Sequence, residues 1–384
     1  MFKVGILMPR STLYPTIGLD ILAGIKEALT YNAVFTEITL ITDNIGFATN
    51  EQEVYAKAEK MLLMDEVDMV VMIADLRITE MLQPLFAASN KILLLVNMGT
   101  DIPENWSTGA TTIIHSLNFC LNAKLTGVLA AQQPLKKTIN TIWYYDAGYL
   151  QCFSMINGNQ KNGGSTAFYH ITPLKDQDFS LQPVQQFLTE NTDVKTVLCL
   201  FSGPQIHLFY KEIAALQQSH QLQLYVSPMM LDESIKKEVT ANFLSNIATG
   251  FVPWHSSLNN ATNTIFKNQL TQLGKATNYF SVLGWDTGTL IQKIKHQYQQ
   301  ANTNAAQIVQ NIANQKIDSP RGWIKIDPSS NYIYAPAYKA ICTNNFDIII
   351  QDEHLDMEIE FEQFKQVKIN LAETSNWKNT YLCI

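Results

Sequence analysis

The sequence lacks most of the features that announce catalysis, metal binding or membrane insertion. Its five cysteines, Cys120, Cys152, Cys199, Cys342 and Cys383, make no C-x-x-C pair and no metal-ligand spacing, which leaves neither a dithiol redox motif nor a zinc site. An odd number excludes complete pairing. Cys199 lies inside the apolar run Val197–Phe201 and reads as a buried, inert thiol; Cys120 and Cys152 are likewise expected to stay unbridged. Cys342 and Cys383, both near the C-terminus, are the pair an oxidising compartment would bridge. Only 16% of the 384 residues are charged, with 27 Lys and Arg against 34 Asp and Glu, and the basic residues form no run. A net charge of -7 with no basic patch cannot neutralise phosphates, so nucleic acid is not an expected partner. No uninterrupted apolar stretch approaches the roughly 20 residues that span a bilayer, so this segment is not expected to insert in a membrane.

Catalytic motifs are missing too. There is no G-x-S-x-G elbow, Walker loop, H-E-x-x-H or G-x-G-x-x-G. His115, His170, His207 and His255 have no spacing that builds a metal site, Asn162–Gly164 is a turn signal, and the acidic run Asp352–Asp356 reads as a solvated face. No catalytic residue, metal or cofactor is therefore expected. The first expected strand begins at Lys3, with no room ahead of it for charged, apolar and cleavage regions of a leader. That leaves a cytoplasmic protein or an exported one whose signal sequence has been removed.

What is present is an ordinary globular composition, 46% hydrophobic and 10% aromatic, of a length that predicts two domains with their own cores. The most informative stretch is Lys3–Leu29: an apolar run ends at Pro9, a polar loop carries Ser11, Thr12 and Tyr14, and from Gly18 apolar residues recur at helical spacing. Strand, loop and helix of this kind place the loop at the carboxyl end of a parallel sheet, where ligands bind. Alternation continues: strand Phe35–Thr42, helix Glu51–Asp65, strand Met69–Ile73, helix Thr79–Ser89, strand Ile92–Val96. The pattern then restarts, with helix Leu117–Gln132, strand Thr141–Tyr145, helix Tyr149–Gln160 and strand Ser165–His170. It continues through helix Leu181–Glu190, strand Thr196–Phe201, helix Gln205–Gln218 and strand Leu222–Val226.

After Ile247–Val252 the chain turns helical over Ala261–Leu273, Ser281–Tyr298 and Asn304–Asn314, with Gly322–Ile326 strand-like. The stretch containing Ile348–Ile350, Met357–Phe361 and Val367–Asn370 reads as strands and turns. Late helices pack most economically back on the first lobe. The expected division is residues 1–116 plus 253–326 for one lobe and 117–252 plus 327–384 for the other.

Several segments together resemble the type I periplasmic solute-binding proteins, in the branched-chain amino-acid-binding group of ABC importer receptors. They are the Pro9, Ser11, Tyr14, Gly18 order, the strands Val67–Ile73 and Lys91–Val96, and Ile113–Asn118 as a first crossing. Ile142–Tyr149 ends a strand in an acidic turn with a tyrosine, and Gly250–Trp254 is a return crossing. Leu283–Asp286 and the Arg-Gly turn in Pro320–Asp327 complete the order. The resemblance implies an α/β protein of two Rossmann-like lobes with parallel sheets joined by a three-crossing hinge. It implies a receptor without enzymatic activity that traps a small amino-acid-like, carboxylate or amide molecule by hinge closure. Permease subunits are the implied partners and the periplasm or another extracytoplasmic space the implied location.

Positions matching the family's ligand loops are Ser11, Thr12 and Tyr14 after the first strand and Asp75 and Arg77 after the third. Asn97, Met98, Gly99 and Thr100 follow the fourth, and Tyr149, Ser202, Gly203 and Trp254 come from the second lobe. Ser11 serves a ligand hydroxyl contact or a turn cap. Arg77 holds a carboxylate or makes a local ion pair with Asp75 or Glu80. Tyr149 stacks on a ligand or packs, and Trp254 walls the cleft or packs the hinge. Asp286 and Trp285 match a mostly structural segment. Ala74–Thr79 departs from the Gly- and Ser-rich loop usual in amino-acid-binding members, which argues against a plain α-amino acid. Two other classes stay open: a ligand-sensing regulator of the same fold, similar to the amide-sensing negative regulators, and an α/β enzyme, for which no nucleophile and base are found.

Overall fold

The computed structural model describes residues 1–239, 248–300, 304–313, 315–351, 353–369 and 381. Its first half begins with β1 (Phe2–Met8), α1 (Ile17–Tyr31), β2 (Ile38–Asn44), α2 (Glu51–Leu63) and β3 (Met69–Ile73). It goes on with α3 (Thr79–Ser89), β4 (Ile92–Asn97) and β5 (Thr112–Ser116). The five strands form one parallel sheet in the order β2-β1-β3-β4-β5. β3 is wholly buried, because a parallel sheet is covered on both faces by its crossover helices and its central strands therefore read as unbroken apolar runs.

The pattern repeats through α4 (Phe119–Ala131), β6 (Lys137–Trp143), α5 (Leu150–Lys161), β7 (Ser165–Thr172) and α6 (Gln182–Glu190). β8 (Thr196–Leu200), α7 (Gln205–His220), β9 (Gln223–Val226), the short α8 (Lys236–Val239) and β10 (Ala248–Val252) follow. Their parallel strands lie in the order β7-β6-β8-β9-β10, so the second lobe repeats the connectivity of the first. β14 (Tyr338–Thr343) and β15 (Asp347–Gln351) extend this sheet in antiparallel fashion beyond β10.

Between these come α9 (Ala261–Gln272), α10 (Tyr279–Gln300) and α11 (Ala305–Ala313), then β11 (Lys316–Ser319), β12 (Gly322–Ile326) and β13 (Ile333–Tyr334) in a small antiparallel sheet. α10 packs on α1 at backbone contact: a Cβ at Gly24 would lie 2.1 Å from the Ser281 carbonyl oxygen, and one at Gly284 2.0 Å from that of Ile21. The second lobe uses the same device where α4 meets α5, with a Cβ at Gly127 falling 2.0 Å from the Met155 oxygen.

Three expectations need correction. Phe35–Glu37 is a 3₁₀ turn, closed by the Glu37 N–H on the Val34 oxygen at 3.0 Å, and the strand starts at Ile38. Met357–Phe361 is not a strand but the start of helix α12 (Met357–Lys365), capped by Asp356, whose carboxylate accepts from the Glu358 and Ile359 N–H groups. Residues 367–369 are not strand either, and Asn370 lies outside the described residues. Cys120, Cys152, Cys199 and Cys342 carry buried free thiols; Cys383 lies outside the described residues. No helix among the described residues is long and apolar enough to cross a membrane.

Candidate functional site

In a sheet of order 2-1-3-4-5 the connections from the first and third strands leave in opposite directions, and the crevice between them, at the carboxyl ends, takes ligands. Here that place lies after β1 and β3 in one lobe and after β6 and β8 in the other. Ser11–Tyr14 follow β1, Asp75 follows β3, Asp146–Tyr149 follow β6, and Ser202–Gly203 follow β8. Three helices start from or just beyond these loops, α1, α5 and α7, and none has a side-chain N-cap bond, so the positive ends of their dipoles lie on the cleft side.

The two crevices touch. The Gly203 N–H donates to the Tyr14 hydroxyl at 2.8 Å, and Leu13 packs over Gly203, where a Cβ would sit 2.9 Å from the leucine Cγ. Ser11 Oγ accepts from the Tyr14 N–H at 2.9 Å and donates to the Tyr381 carbonyl. The Tyr381 ring stands edge-on to Tyr14 at 5.6 Å, Tyr149 at 6.0 Å and Phe119 at 6.3 Å, and its hydroxyl donates to Gln151 Oε1 at 3.1 Å. Ser202 Oγ donates to Asp146 Oδ2 at 3.0 Å. Burial pushes the Asp146 carboxyl up to about 7 against the hydrogen bonds from Ser202, so near neutrality it is available as a neutral donor. The Gln151 Nε2 donor is buried with no partner among the described residues.

Ser11, Tyr14, Tyr149, Ser202 and Gly203 are thus brought together, with Thr12 exposed beside them. A second group, Asp75, Asn97, Met98 and Thr100, lines a neighbouring first-lobe concavity with Ile17, Ile73 and Val96, where Asn97 Nδ2 is buried without a partner among the described residues. Gly99 serves the crossing instead: its φ of +71° and the 2.7 Å from its would-be Cβ to the Asn118 nitrogen leave room for no side chain. Arg77 binds locally, to Glu51 at 3.3 Å, Asp75 at 3.4 Å and the Ala48 carbonyl at 3.2 Å. Trp254 is buried in the hinge, its indole N–H on Asn263 Oδ1 at 2.9 Å and its rings against Phe266 and Tyr279.

Sequence reasoning missed Asp146, Gln151, Phe119, Tyr381 and Arg321. Asp146 sat inside a segment already singled out, and its place at a strand end was the available signal. Arg321 is fully buried at the hinge. It donates to the Ser116 carbonyl at 3.0 Å, Asn118 Oδ1 at 3.4 Å and the Pro253 carbonyl at 3.4 Å, and stands 3.8 Å from Asp286. One guanidinium so ties both crossings to the turn between β11 and β12.

Two lobes of like topology, joined at a stapled hinge and facing each other through their carboxyl-end crevices, define a bilobal binding-protein fold. The chain belongs to the periplasmic binding protein family, whose model matches residues 2–340. No curated protein sequence matches it. Similar solved structures include a solute-binding protein of an ABC transporter from Rhodopseudomonas palustris HaA2 in complex with p-hydroxybenzoic acid. That structure has 18% identity, a TM-score of 0.76, and coverage of 95% of this chain and 100% of that one. An ABC transporter substrate-binding protein from Sphaerobacter thermophilus has 14% identity, a TM-score of 0.77, and coverage of 93% and 98%. A leucine-binding protein LivK from Thermotoga maritima has 13% identity, a TM-score of 0.66, and coverage of 92% and 98%.

Proposed function

We propose that this protein is an extracytoplasmic receptor that traps one small polar molecule with an aromatic or apolar part between its lobes and delivers it to an ABC importer, performing no reaction on it. Among the described residues the moving bodies in this scheme are residues 1–116 with 253–326 and residues 117–252 with 327–384, except that residues 327–334 and helix α12 pack on the first body, Tyr332 bridging Ile114 and Phe361 and Phe364 standing against Trp106. The observation that carries the reading is the Gly203 N–H bonded to the Tyr14 hydroxyl, a contact between the carboxyl-end loops of the two lobes, beside Ser11 on one side and the Ser202–Asp146 pair on the other. Ser11 and Ser202 supply hydroxyls, Tyr149 a stacking face, and the helix starts favour a carboxylate on the ligand. Asn97, Met98 and Thr100 supply contacts at the first-lobe end. Arg77, paired with Glu51 and Asp75, is a rim residue in this scheme. A p-hydroxybenzoate complex and a leucine-binding protein among the similar structures put benzoates and amino acids first in a search for the ligand.

A thermal-shift screen over benzoates, amino acids, other carboxylates, amides and nucleobase-like compounds tests the reading. A ligand that binds only the native state, supplied at 100 times its Kd, adds about 2.7 kcal/mol of apparent stability. A stabilising compound recovered unchanged is the expected result. A compound converted to product would instead place the protein among enzymes.

A further inference from the structure

We propose that Tyr381 is a tethered occupant of the ligand cleft, so that the protein's own C-terminal region competes with the ligand; this rests on the cleft being the ligand site. Tyr381 is 1% exposed and touches both lobes at once. Ser11 and Tyr14 of the β1–α1 loop hold its carbonyl and one edge of its ring; Phe119 and Tyr149, at the starts of α4 and α5, hold the rest. Its phenol reaches Gln151, whose own Nε2 donor is left buried and unanswered among the described residues. An aromatic ring with one polar end is a small polar ligand in chemical terms, and it sits on the residues a ligand would use.

The backbone supports the same conclusion. Tyr381 has a φ of +57°, the left-handed region that a bulky side chain adopts only when its surroundings impose it. Here the imposed contacts are a hydrogen bond at the carbonyl and three aromatic edges, all from groups separated from it by more than two hundred residues in sequence. A ring held by its own chain competes at an effective concentration in the millimolar range, and any ligand's apparent affinity falls by the fraction of molecules in which the cleft is vacated. Tyr381 also bridges the lobes, so it favours closure before a ligand arrives.

The test uses p-cresol, which is the tyrosine side chain without its backbone, titrated by calorimetry into the full-length wild type, Tyr381→Phe and Tyr381→Ala. Tyr381→Ala should bind p-cresol about tenfold tighter than wild type or more, because the hole left behind has its shape. Tyr381→Phe keeps the ring and loses only the Gln151 bond, so it should fall between, about threefold tighter than wild type. Equal affinities in the three proteins, or no binding to any, overturn the proposal. If Tyr381→Ala does not fold, the comparison of wild type with Tyr381→Phe decides. Failure of the receptor reading looks different: p-cresol fills the Tyr381→Ala hole while no compound of the screen stabilises either protein.

Discussion

The hinge and the cleft both bury polar groups, and they do so in opposite ways. At the hinge, Arg321 keeps a permanent charge out of water by donating to oxygens of Ser116, Asn118 and Pro253. Burial pushes Asp286 up to about 7 even with the guanidinium nearby pulling it down, so the carbonyl oxygens answer much of the arginine's charge. His115, beside it, is held neutral, its value pushed down to about 3 by burial and by the Arg321 charge. Among the described residues the cleft has no such fixed ion. Its groups are phenols, hydroxyls, an amide and a carboxyl that burial brings toward neutrality. A multiply bonded cation makes a pivot that keeps its geometry, whereas neutral hydroxyl and amide groups can exchange partners for a ligand at small cost.

The largest expected effect comes from breaking the pivot. Arg321→Met leaves the crossing carbonyls without donors and Asp286 without its cation, which should cost about 3–5 kcal/mol of unfolding free energy. Chemical denaturation reads this directly; a loss under about 1 kcal/mol would mean that the crossings are held by something else.

A smaller effect separates the two regions by pH. Asp146 has a folded value of about 7 against an ordinary 3.8. Its protonated form is favoured by folding, so its contribution is complete below about 3.8 and is lost as the pH rises through about 7. His115 runs the other way: its contribution is complete above about 6.5 and is lost as the pH falls through about 3. Asp146→Asn cannot ionise, so its stability relative to wild type should improve by about 2–3 kcal/mol between pH 5 and pH 8. A difference that stays flat across that range would show that Asp146 is ordinarily ionised in the folded protein.

The architecture was legible where burial is two-sided. Met69–Ile73 falls on the expected residues and the strand from Ile92 ends one residue beyond the expected Val96, since continuous apolar runs between polar breaks have few alternatives. Helix α12 shows why the tail was misread. Met357, Ile359 and Phe361 alternate with Glu358, Glu360 and Glu362, the period of a half-buried strand. The Asp356 cap starts a helix there instead, and Met357, Phe361 and Phe364 turn inward while Ile359 faces solvent. Phe361 and Phe364 then pack against Trp106, a partner that no local pattern could supply. The same holds for the cleft. Ser11, Tyr149 and Ser202 stand next to strand ends and could be picked out, while Tyr381 reaches Ser11 across 370 residues of sequence.

Calorimetry on the first compound that raises the melting temperature, against Tyr149→Ala and Arg77→Ala, tests most directly whether the space between the lobes is the binding site. The cleft account predicts that Tyr149→Ala loses about tenfold in affinity, the stacking contribution of one aromatic face, while Arg77→Ala, bound to Glu51 and Asp75, changes it less than about threefold. An unchanged affinity in Tyr149→Ala together with a large loss in Arg77→Ala would contradict it and move the site to the first-lobe surface.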